Sequence, residues 1–408
     1  MVQSYCYPVN KYTKVWLYMS TADKSVLLEA RKDIDEIDAQ LVELFKKRMD
    51  VASRVAEYKR ASGMPVFDSA REREKLTALA QMAGPEMGNY IRQMYSLIFE
   101  LSRDHQHRLL GTSTALYDSI TRAIEETPRL FPEGAHVACQ GTEGAYSMMA
   151  AEKIFRQPDI EYVKTFDDVI RAVESGYVKY GVLPIENSTA GIVGAVYKLL
   201  EKHNVYAVRS VRCKIEHSLL VNRGVQLGDI KEVISHEQAV NQCGKFLSTL
   251  GTPDHPVKIT YAANTAVAAR TVMESGRRDL AAISSHACAA LYSLDTAARD
   301  IHDTDNNYTR FICISKNVEI YPGADRTSMM LVTSNTPGAL YKVLSRFFAL
   351  GVNLTNLVAR PIEGRDFEFR FFCDFDTSVY SESFAALMQT IADTCEEFRY
   401  LGSYREII

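Results

Sequence analysis

The sequence predicts a multidomain protein that joins an all-α segment, an α/β segment and an α+β segment, in that order. Apolar residues recur every three, four or seven positions in residues 25–112, which is typical of helices. Short apolar strands alternate with helices in residues 135–320, and residues 327–408 follow the order strand, helix, strand, strand, helix, strand. A chain of 408 residues is long enough for several domains of roughly 100–200 residues each. Residues 1–24 are an N-terminal extension to which the sequence assigns no role.

The composition argues against several classes of protein. Apolar residues make up 47% and charged residues 24%, as in ordinary globular proteins, and a net charge of −4 offers no basic surface to nucleic acid. The eight cysteines include no Cys-x-x-Cys pair, and no histidine cluster has metal-ligand spacing, so we predict no metal site and a reducing compartment. No apolar run approaches the roughly 18 residues that span a bilayer. We therefore expect a cytoplasmic protein that contacts neither nucleic acid nor membrane.

The all-α segment begins with a long amphipathic helix that runs from Ser25 to Ser62, where "SGMP" ends it. Its apolar stripe consists of Leu27, Ile34, Ile37, Leu41, Leu44, Phe45, Val51 and Val55. A lone helix of this length exposes its stripe, so a partner helix or subunit must cover it. We therefore predict a homodimer or a larger homo-oligomer. Two further helices are predicted near residues 69–83 and 87–110.

Three basic residues on the long helix are candidates for anion binding. At 100° per residue, Arg48 and Lys59 lie about 20° apart around the axis and roughly 16 Å apart along it, so both side chains can lean towards one anion. Arg31 precedes Arg48 by roughly 25 Å of helix and cannot serve the same small site in the same chain. If Arg31 is functional, it must reach into a neighbour's site, which predicts an intertwined dimer. The alternative is a solvated basic face.

The all-α segment resembles the helical chorismate mutases, in particular the domain that is fused to prephenate dehydratase. The matching pieces are "LLEARKDIDEIDAQLVELFKKRMDVASRVAEYKRASGMPVFDSAREREK" and "YIRQMYSLIFELSRDHQ". The resemblance implies that Arg48 and the partner subunit's Arg31 bind the two carboxylates of chorismate. It implies that Lys59 and Gln106 are catalytic donors to the ether oxygen. The rest of the implied pocket consists of Asp68, Arg71, Glu72 and Ser102.

These residue types suit the implied reaction. The rearrangement of chorismate is pericyclic and needs no nucleophile or cofactor, so the site must hold an extended dianion in a compact conformation. Lys59 and Gln106 would stabilise the negative charge that grows on the ether oxygen as its bond breaks. Ser102 and Gln106 are four residues apart and share one helix face, as such a pocket requires.

The α/β segment repeats one unit, in which a short apolar strand is followed by a polar or glycine-rich loop and a helix. The units are "VACQGTEGAYS", "GVLPIENSTAG", "EVISHEQAV", "ITYAANTAV" and "LAAISSHACAA". An α/β sheet binds ligands beyond the carboxyl ends of its strands, and helix N-termini favour anions. Several such loops would form a cleft for a small carboxylate. The alternative for any one loop is ordinary helix capping by Ser, Thr and Asn.

The stretch "NNYTRFICIS" places Thr309 and Arg310 at the mouth of a predicted buried strand. With "GTEGAYS", "VLPIENSTAG", "SHEQAVNQC" and "ALYSL", it makes residues 136–320 resemble prephenate dehydratase, whose two-lobed fold is like that of type II periplasmic binding proteins. The resemblance implies that Thr309 is the catalytic hydroxyl. The implied cleft residues are Glu186, Asn187, Ser188, Ser235 and Gln242. Arg310 either anchors a substrate carboxylate or is a structural residue that points away from the cleft.

The implied second reaction also needs no cofactor. Prephenate loses its ring hydroxyl and CO2 together, and aromatisation drives both losses. The site must supply a donor to the leaving oxygen, and a Thr hydroxyl in a dry cleft can do so. The segment lacks a Gly-x-Gly-x-x-Gly fingerprint after a strand, which argues against a dehydrogenase that uses the same substrate.

The α+β segment has the ferredoxin-like order of elements and resembles the ACT domain, an amino-acid-sensing module. "NTPGALYKVL" matches the ligand-binding stretch at Gly338, Ala339 and Leu340. The second signature of the family, Glu-Ser-Arg-Pro, reads "VARP", so Arg360 remains while the acidic residue and the hydroxyl are replaced. Phenylalanine is the effector that the resemblance implies. The alternative is an ACT fold that is retained for dimerisation alone.

Together the segments predict a bifunctional chorismate mutase–prephenate dehydratase of phenylalanine biosynthesis, which converts chorismate through prephenate to phenylpyruvate. One rival keeps the fold but makes arogenate the substrate of the second reaction. Another rival is a non-catalytic sensor that combines a binding-protein cleft with an ACT domain. The presence of Thr309 and of the complete mutase set argues against the sensor.

Overall fold

A computed structural model of the chain describes residues 24–64, 66–110, 115–252 and 255–408. The chain divides into two compact units, Met1–Thr112 and Ser113–Ile408. The predicted N-terminal extension, residues 1–24, lies outside the described residues except for Lys24. Among the described helices, none is long and apolar enough to cross a membrane.

The described part of the N-terminal unit consists of three helices, α1 (Lys24–Ser62), α2 (Ser69–Met82) and α3 (Gly84–Leu110). Asp68 caps α2, because its side chain accepts a hydrogen bond of 3.0 Å from the backbone N–H of Arg71. Gly84 has a φ of +75°, which permits the reversal between α2 and α3. Both α1 and α2 pack against α3. The three helices match the predicted ones closely.

The apolar stripe on the first half of α1 has no cover among the described residues of this chain. All residues from 25 to 47 are exposed, and Leu28, Ile34 and Leu44 are each more than half exposed. Water contact along such a stripe is unfavourable by about 25 cal/mol per Å² of apolar surface. A second subunit that covers α1 remains our prediction.

The second unit begins with a helix and then builds a first lobe. The elements are α4 (Ala115–Glu126), β1 (Gly134–Gln140), α5 (Tyr146–Ile154), β2 (Gln157–Val163), α6 (Phe166–Ser175), β3 (Tyr180–Asn187), β4 (Gly191–Ile192), α7 (Gly194–Lys202) and β5 (Tyr206–Lys214). Strand β3 is buried along most of its length because α6 and α7 cover one face and α5 covers the other.

The chain then crosses into a second lobe. Its elements are β6 (Ser218–Val221), β7 (Glu232–Ser235), α8 (Glu237–Asn241), α9 (Gly244–Leu247), β8 (Gly251–Thr252), β9 (His255–Pro256), β10 (Lys258–Tyr261), α10 (Thr265–Ser275), β11 (Leu280–Ser284), α11 (His286–Leu291) and β12 (Asp295–Ala298). The main sheet of this lobe has the order β10-β7-β11-β6-β12. Strand β13 (Tyr308–Ser315) returns to the first lobe and lies between β5 and β3.

The C-terminal segment comprises β14 (Arg326–Val332), α12 (Ala339–Ala349), β15 (Asn353–Pro361), β16 (Phe369–Asp376), α13 (Glu382–Thr394) and β17 (Glu397–Ile407). This order of strands and helices is the one that the sequence predicts. Its antiparallel strands have the order β15-β16-β14-β17, and α12 and α13 pack together on one face.

The C-terminal segment and the first lobe share one sheet, although the sequence predicts separate domains at 135–320 and 327–408. Strand β17 pairs with β14 and then, through Arg405–Ile407, runs parallel to β5. Gly402 lies where β17 passes β5; its φ is +130°, and a Cβ there would collide with the carbonyl oxygen of Ala207. Only glycine permits this approach. The continuous sheet therefore joins the C-terminal segment to the strand that carries Thr309.

Helix α4 lies in a stretch for which the sequence predicts no element. Ile120 and Ala123 are buried in the core of the C-terminal segment, against residues such as Phe347 and Leu387. Thr127, just after α4, accepts a hydrogen bond of 3.0 Å from the backbone N–H of Ile320. The helix therefore belongs to the C-terminal segment in space, although it precedes the first lobe in sequence.

Candidate active sites

The first candidate site is a cavity of about 450 Å³ among α1, α2 and α3. Seven residues that the sequence assigns to the mutase pocket line it: Arg48, Lys59, Asp68, Arg71, Glu72, Ser102 and Gln106. Arg31 is the eighth predicted residue, and it lies on the exposed first half of α1, away from this lining. The separation agrees with the helical geometry, which excludes Arg31 from a site in its own chain.

Several polar groups of this cavity are poised for a ligand. Ser102 and Gln106 are buried on α3, and Lys59 Nζ donates a hydrogen bond of 2.5 Å to the carbonyl oxygen of Val66. Arg48 Nη1 and Gln106 Oε1 are buried and have no hydrogen-bond partner among the described residues. A buried polar group without a partner is costly, so both groups favour a polar ligand in the cavity.

The charge of the cavity favours an anion. The cations that line it are Arg48, Lys59, Arg71, Lys75 and Arg103, and the carboxylates are Asp68 and Glu72. Burial lowers the pKa of Lys59, while Asp68 and Glu72 oppose that change by favouring the ammonium. Five cations against two carboxylates leave an excess of positive charge, which suits a dianion.

Two residues of α3 that the sequence analysis missed also shape the cavity. Arg103 forms an ion pair with Glu72 and so joins α3 to α2. The guanidinium carbon of Arg48 lies 5.3 Å from the ring centroid of Phe99, a cation–π distance. Both missed residues follow the helical spacing of the predicted pair, since Phe99, Ser102, Arg103 and Gln106 share one face. That spacing was the available signal.

The second candidate site is a cleft of about 530 Å³ between the two lobes. Four of the five predicted strand–loop–helix units line it, through residues that include Gln140 and Tyr146, Asn187 and Ala190, His236 and Gln238, and Asn264 and Thr265. The fifth unit lies behind the first, where Cys288 Sγ contacts the carbonyl oxygen of Gly144 at 3.4 Å. Gly144 has a φ of +84°, and a Cβ there would approach the sulfur of Cys288 to 2.8 Å, so glycine permits this packing.

Two helix N-termini face this cleft. The first turn of α5 contributes Tyr146 and Ser147, and no described side chain caps it. Helix α10 is capped by Asn264, whose side chain accepts a hydrogen bond of 2.7 Å from the backbone N–H of Val267 and also lines the cleft. Free N–H groups and the helix dipole favour anions at these positions, so the cleft suits a carboxylate.

Asn187 and Thr309 meet at the floor of the cleft. They are paired across β3 and β13, and Asn187 Nδ2 lies 2.9 Å from Thr309 Oγ1. The backbone N–H groups of Thr189 and Ala190 donate to Asn187 Oδ1 at 3.0 and 2.8 Å, which fixes the orientation of the amide. Asn187 Nδ2 must therefore donate to Thr309 Oγ1. The hydroxyl proton of Thr309 is left free for another acceptor.

The orientation of the Asn187 amide also sets the direction of the hydrogen bonds that lead to His217. Asn187 Nδ2 also donates to Asn307 Oδ1 at 2.8 Å, so Asn307 Nδ2 donates to Gln242 Oε1 at 3.1 Å. His217 Nε2 lies 2.9 Å from that same Gln242 oxygen and must donate to it. Neutral imidazole carries one proton, so His217 Nδ1 is an acceptor. That atom is buried and has no partner in the described part of the chain.

The surroundings of His217 keep its imidazole neutral. Burial lowers the pKa of His217, the hydrogen bond with Gln242 opposes that shift, and the neighbouring His302 lowers the pKa further. The ring of Tyr146 packs edge-on against His217 at a centroid distance of 6.4 Å. The cleft therefore holds a hydroxyl donor at Thr309 and a neutral acceptor at His217.

Four predicted cleft residues lie elsewhere. Because side chains alternate along a strand, Glu186 and Arg310 point to the face opposite Asn187 and Thr309. Ser188 is exposed, donates to the carbonyl oxygen of Asn306 at 2.8 Å and so closes the loop before β13. Ser235 Oγ donates to Ile283 O at 2.7 Å inside the second lobe.

Arg310 is a structural residue in this fold, so its predicted role as an anchor for a substrate carboxylate is wrong. It is buried, with Nε 2.9 Å from Glu186 Oε1 and Nη2 2.5 Å from Asp374 Oδ2. Both carboxylates balance the charge of the guanidinium on the face of the sheet away from the cleft. Of the predicted dehydratase residues, Asn187, Gln242 and Thr309 line the cleft.

The sequence analysis missed three residues that complete the hydrogen-bond network of the cleft: Thr189, His217 and Asn307. Asn307 stands two positions before Thr309 in "NNYTRF" and Thr189 two positions after Asn187, so proximity to a predicted residue was a usable signal. His217 lies in the crossing between the lobes, and no local pattern singles it out.

The predicted effector residues divide between two places. Gly338 precedes α12 with a φ of +83°, and Ala339 and Leu340 open that helix. Arg360 instead approaches helix α7 of the first lobe, where its Nε lies 3.8 Å from Glu201 Oε1. Val358, the first residue of "VARP", is buried in a core shared with the first lobe.

Comparison with known families gives two matches along the chain. Residues 137–319 match the prephenate dehydratase family, and residues 30–107 match the type II chorismate mutase family. The first match covers both lobes of the cleft, and the second covers the helices of the cavity.

Two relatives show the extent of the similarity. The arogenate dehydratase/prephenate dehydratase 2 of Arabidopsis thaliana chloroplasts is 35% identical over 280 residues, which are 66% of this chain and 72% of the relative. The bifunctional chorismate mutase/prephenate dehydratase of Escherichia coli K12 is 29% identical over 388 residues, which are 93% of this chain and 96% of the relative.

Two solved structures resemble about two thirds of the chain. The prephenate dehydratase of Arthrobacter aurescens in complex with L-Phe has a TM-score of 0.59 at 25% identity and covers 66% of this chain and 90% of its own. The quorum-quenching acylase GqqA has a TM-score of 0.60 at 28% identity and covers 66% of this chain and 98% of its own.

Proposed function

The chain belongs to the prephenate dehydratase family in its bifunctional form, which carries a chorismate mutase at the N-terminus, and we propose that it converts chorismate through prephenate to phenylpyruvate. The observation that carries the dehydratase step is the Asn187–Thr309 pair, which leaves a hydroxyl proton free at the floor of the cleft. The mutase step rests on the cationic cavity among the three helices.

In the mutase step, the cavity holds chorismate in its reactive conformation. Arg48 binds a carboxylate, and Lys59 and Gln106 donate to the ether oxygen, where charge grows as the bond breaks. The reaction needs no proton transfer, so orientation and these donors account for the catalysis.

We infer that the partner subunit's Arg31 binds the second carboxylate of chorismate. The exposed apolar stripe of α1 supports a dimer along this helix, because it offers a surface that a second copy of α1 would bury. Each cavity of such a dimer would combine one chain's Arg48, Lys59 and Gln106 with the other chain's Arg31.

In the dehydratase step, Thr309 donates a hydrogen bond to the departing ring hydroxyl as CO2 leaves. Electrons from decarboxylation expel the hydroxide, and the aromatic product drives the reaction forward. The N-termini of α5 and α10 hold a carboxylate. His217 Nδ1, an acceptor, suits a substrate hydroxyl and would repel a carboxylate.

Prephenate is the proposed substrate of the cleft, and arogenate is the alternative. The Arabidopsis relative is named for both activities, and arogenate differs by an ammonium in place of a keto group. The test supplies the purified chain with prephenate and arogenate in parallel. A higher kcat/KM for prephenate supports the proposal, whereas a higher kcat/KM for arogenate makes the chain an arogenate dehydratase.

We propose that the C-terminal segment is an ACT domain of ferredoxin-like fold. The A. aurescens structure contains L-Phe, which makes phenylalanine the ligand to test. Arg360 already approaches Glu201, and Val358 is buried against the first lobe, so the "VARP" stretch holds the C-terminal segment against the first lobe of the same chain. Titration of phenylalanine against the dehydratase rate tests whether this segment senses phenylalanine. Inhibition at micromolar concentration indicates sensing, and an unchanged rate indicates that the ACT fold has a structural role alone.

A further inference from the structure

Two pairs of side chains stand at successive positions of β3 and β13 and point to opposite faces of the sheet. Asn187 is opposite Thr309, and this pair faces the cleft. Glu186 is opposite Arg310, and this pair faces the C-terminal segment. A displacement of either pair along the strands must move the other, because both are attached to the same stretch of backbone.

The backbone between the strands is irregular directly beside these pairs. The register shifts after Arg310, so that Phe311 pairs with Pro184 and Ile185 is left without an opposite residue. Pro184 has no N–H to donate to β13. The ladder is therefore interrupted next to the catalytic pair, although the backbone N–H of Ser188 still donates to the carbonyl oxygen of Tyr308 at 2.8 Å, and side-chain contacts add to the control of register there.

Arg310 supplies such a contact and extends it into the C-terminal segment. Its guanidinium forms an ion pair with Glu186 of β3, at 2.9 Å and without hydrogen-bond geometry, and a hydrogen-bonded ion pair with Asp374 of β16, at 2.5 Å. Asp374 is itself held by Ser328 Oγ at 2.5 Å, and Ser328 by the hydroxyl of Tyr404 at 2.7 Å. The bridge thus begins in the core of the C-terminal segment and ends at the residue before Asn187.

We propose that Arg310 is a positioning residue through which Asp374 of the C-terminal segment holds Thr309 in register with Asn187. The proposal rests on the proposed dehydratase function. It makes the C-terminal segment part of the dehydratase machinery even when no effector is bound.

The charges of the bridge indicate which variants are informative. Glu186 and Asp374 share one guanidinium, so neutralising either carboxylate still leaves Arg310 with a counter-ion. Removing Arg310 instead leaves two carboxylates without a cation, one of them buried, which is strongly destabilising. Asp374→Asn is therefore the preferred change, and Glu186→Gln tests the other end of the bridge.

The same strand provides a matched control. Asp376 lies two positions after Asp374 on β16 and pairs with Arg326 of β14 at 3.2 Å, inside the C-terminal segment. Asp376→Asn removes the same charge from the same strand without touching β3 or β13. Asp374 is buried and Asp376 is half exposed, so Asp376→Asn controls for the loss of charge, and the Tm of each variant records the effect on the fold.

The experiment compares kcat and KM for prephenate, the chorismate mutase rate and the Tm of the wild type, Asp374→Asn, Glu186→Gln and Asp376→Asn. We expect kcat to fall about ten- to a hundredfold in the first two variants, since small displacements of a catalytic group have effects of this size. KM should stay within about twofold, because neither residue lines the cleft. Asp376→Asn should keep the wild-type kcat, and the mutase rate should be the same in all four.

A wild-type kcat in Asp374→Asn, whether or not its Tm falls, would show that the bridge only stabilises the fold and would overturn this inference alone. A rise in KM with kcat unchanged would also overturn it. A wild-type chain that does not turn over prephenate would overturn the proposed function and this inference with it.

Discussion

Asn187 Nδ2 donates a hydrogen bond of 2.9 Å to Thr309 Oγ1, and two backbone N–H groups fix the direction of that bond. Threonine alone can act as donor or acceptor. The strand pairing and the loop after β3 remove this ambiguity and make Thr309 a donor towards the cleft. The chemistry of the site is therefore set by backbone geometry close to the catalytic side chain.

Asn187→Asp should reverse the bond while preserving the shape of the side chain. A carboxylate accepts only, so Thr309 would donate its proton to the introduced carboxylate and not to the departing hydroxyl. We expect the dehydratase kcat to fall about 10²–10³-fold, the usual effect of losing one preorganised donor. The measurement is the rate of phenylpyruvate formation from prephenate.

Asn222→Asp is the matched control for this substitution. Its amide also donates two hydrogen bonds, to the carbonyl oxygens of Val272 and Arg277, but it lies in the second lobe away from the cleft lining. We expect it to lower the Tm and to leave kcat per folded molecule unchanged. Equal losses of kcat in both variants would contradict the role given to Asn187.

His217 should give the dehydratase an acidic pH limit. Its pKa lies below the usual value of about 6.5, and protonation would turn Nδ1 from an acceptor into a donor. We expect kcat to decline as the pH falls through this depressed pKa. His217→Gln keeps an amide near Gln242 but does not titrate, so its kcat should be lower and its acidic limb should be lost.

The same shift predicts a change in stability with pH. Between the depressed pKa of the folded chain and about pH 6.5, the unfolded chain binds a proton at His217 that the folded chain does not, so the free energy of unfolding rises with pH across this range. Urea denaturation of His217→Gln between about pH 5 and 8 should show a shallower rise than the wild type. The exposed His255→Gln should match the wild type, and equal slopes in all three would contradict the burial of a neutral imidazole.

Arg31 and Arg48 should complement each other between chains. Arg31→Ala and Arg48→Ala each remove one cation from every cavity, but a heterodimer of the two retains one complete cavity. Equal amounts of the two variants, unfolded together and refolded, should regain about one quarter of the wild-type mutase activity. About half of the dimers are then heterodimers, and each heterodimer has one active cavity out of two.

The control is Lys32→Ala, which removes the neighbouring exposed cation that pairs with Glu36 at 3.8 Å. It should retain full mutase activity. If heterodimers form but show no activity, Arg31 does not act across the subunit boundary.

The mutase cavity was largely predictable from the resemblance to the helical chorismate mutases, and helical periodicity agrees with it because it fixes which side chains share a face. Once the face containing Ser102 and Gln106 is recognised, Phe99 and Arg103 follow from the same spacing. In the cleft, the sequence analysis neglected the rule that successive side chains of a strand point to opposite faces of the sheet. Asn187 and its neighbour Glu186 cannot both face the ligand. For the same reason Thr309 and its neighbour Arg310 cannot both face it.

Other features depend on contacts that are distant in sequence. Nothing local indicates that β17 continues past β14 to pair with β5, and Gly402 shows its purpose only beside Ala207. The packing of Ile120 against the C-terminal segment is equally remote, since the whole dehydratase segment separates them. The Arg310–Asp374 bridge is also a contact between residues distant in sequence and could not be read from "NYTRF".

The most direct test of the account is to supply Thr309→Val with chorismate and follow chorismate, prephenate and phenylpyruvate separately. Valine preserves the shape of threonine and removes the hydroxyl proton on which the dehydratase step depends. The account predicts that chorismate disappears at the wild-type rate, that prephenate accumulates, and that phenylpyruvate forms roughly 100-fold more slowly or slower still, the effect of losing one preorganised hydrogen-bond donor. Phenylpyruvate formation at the wild-type rate would contradict it.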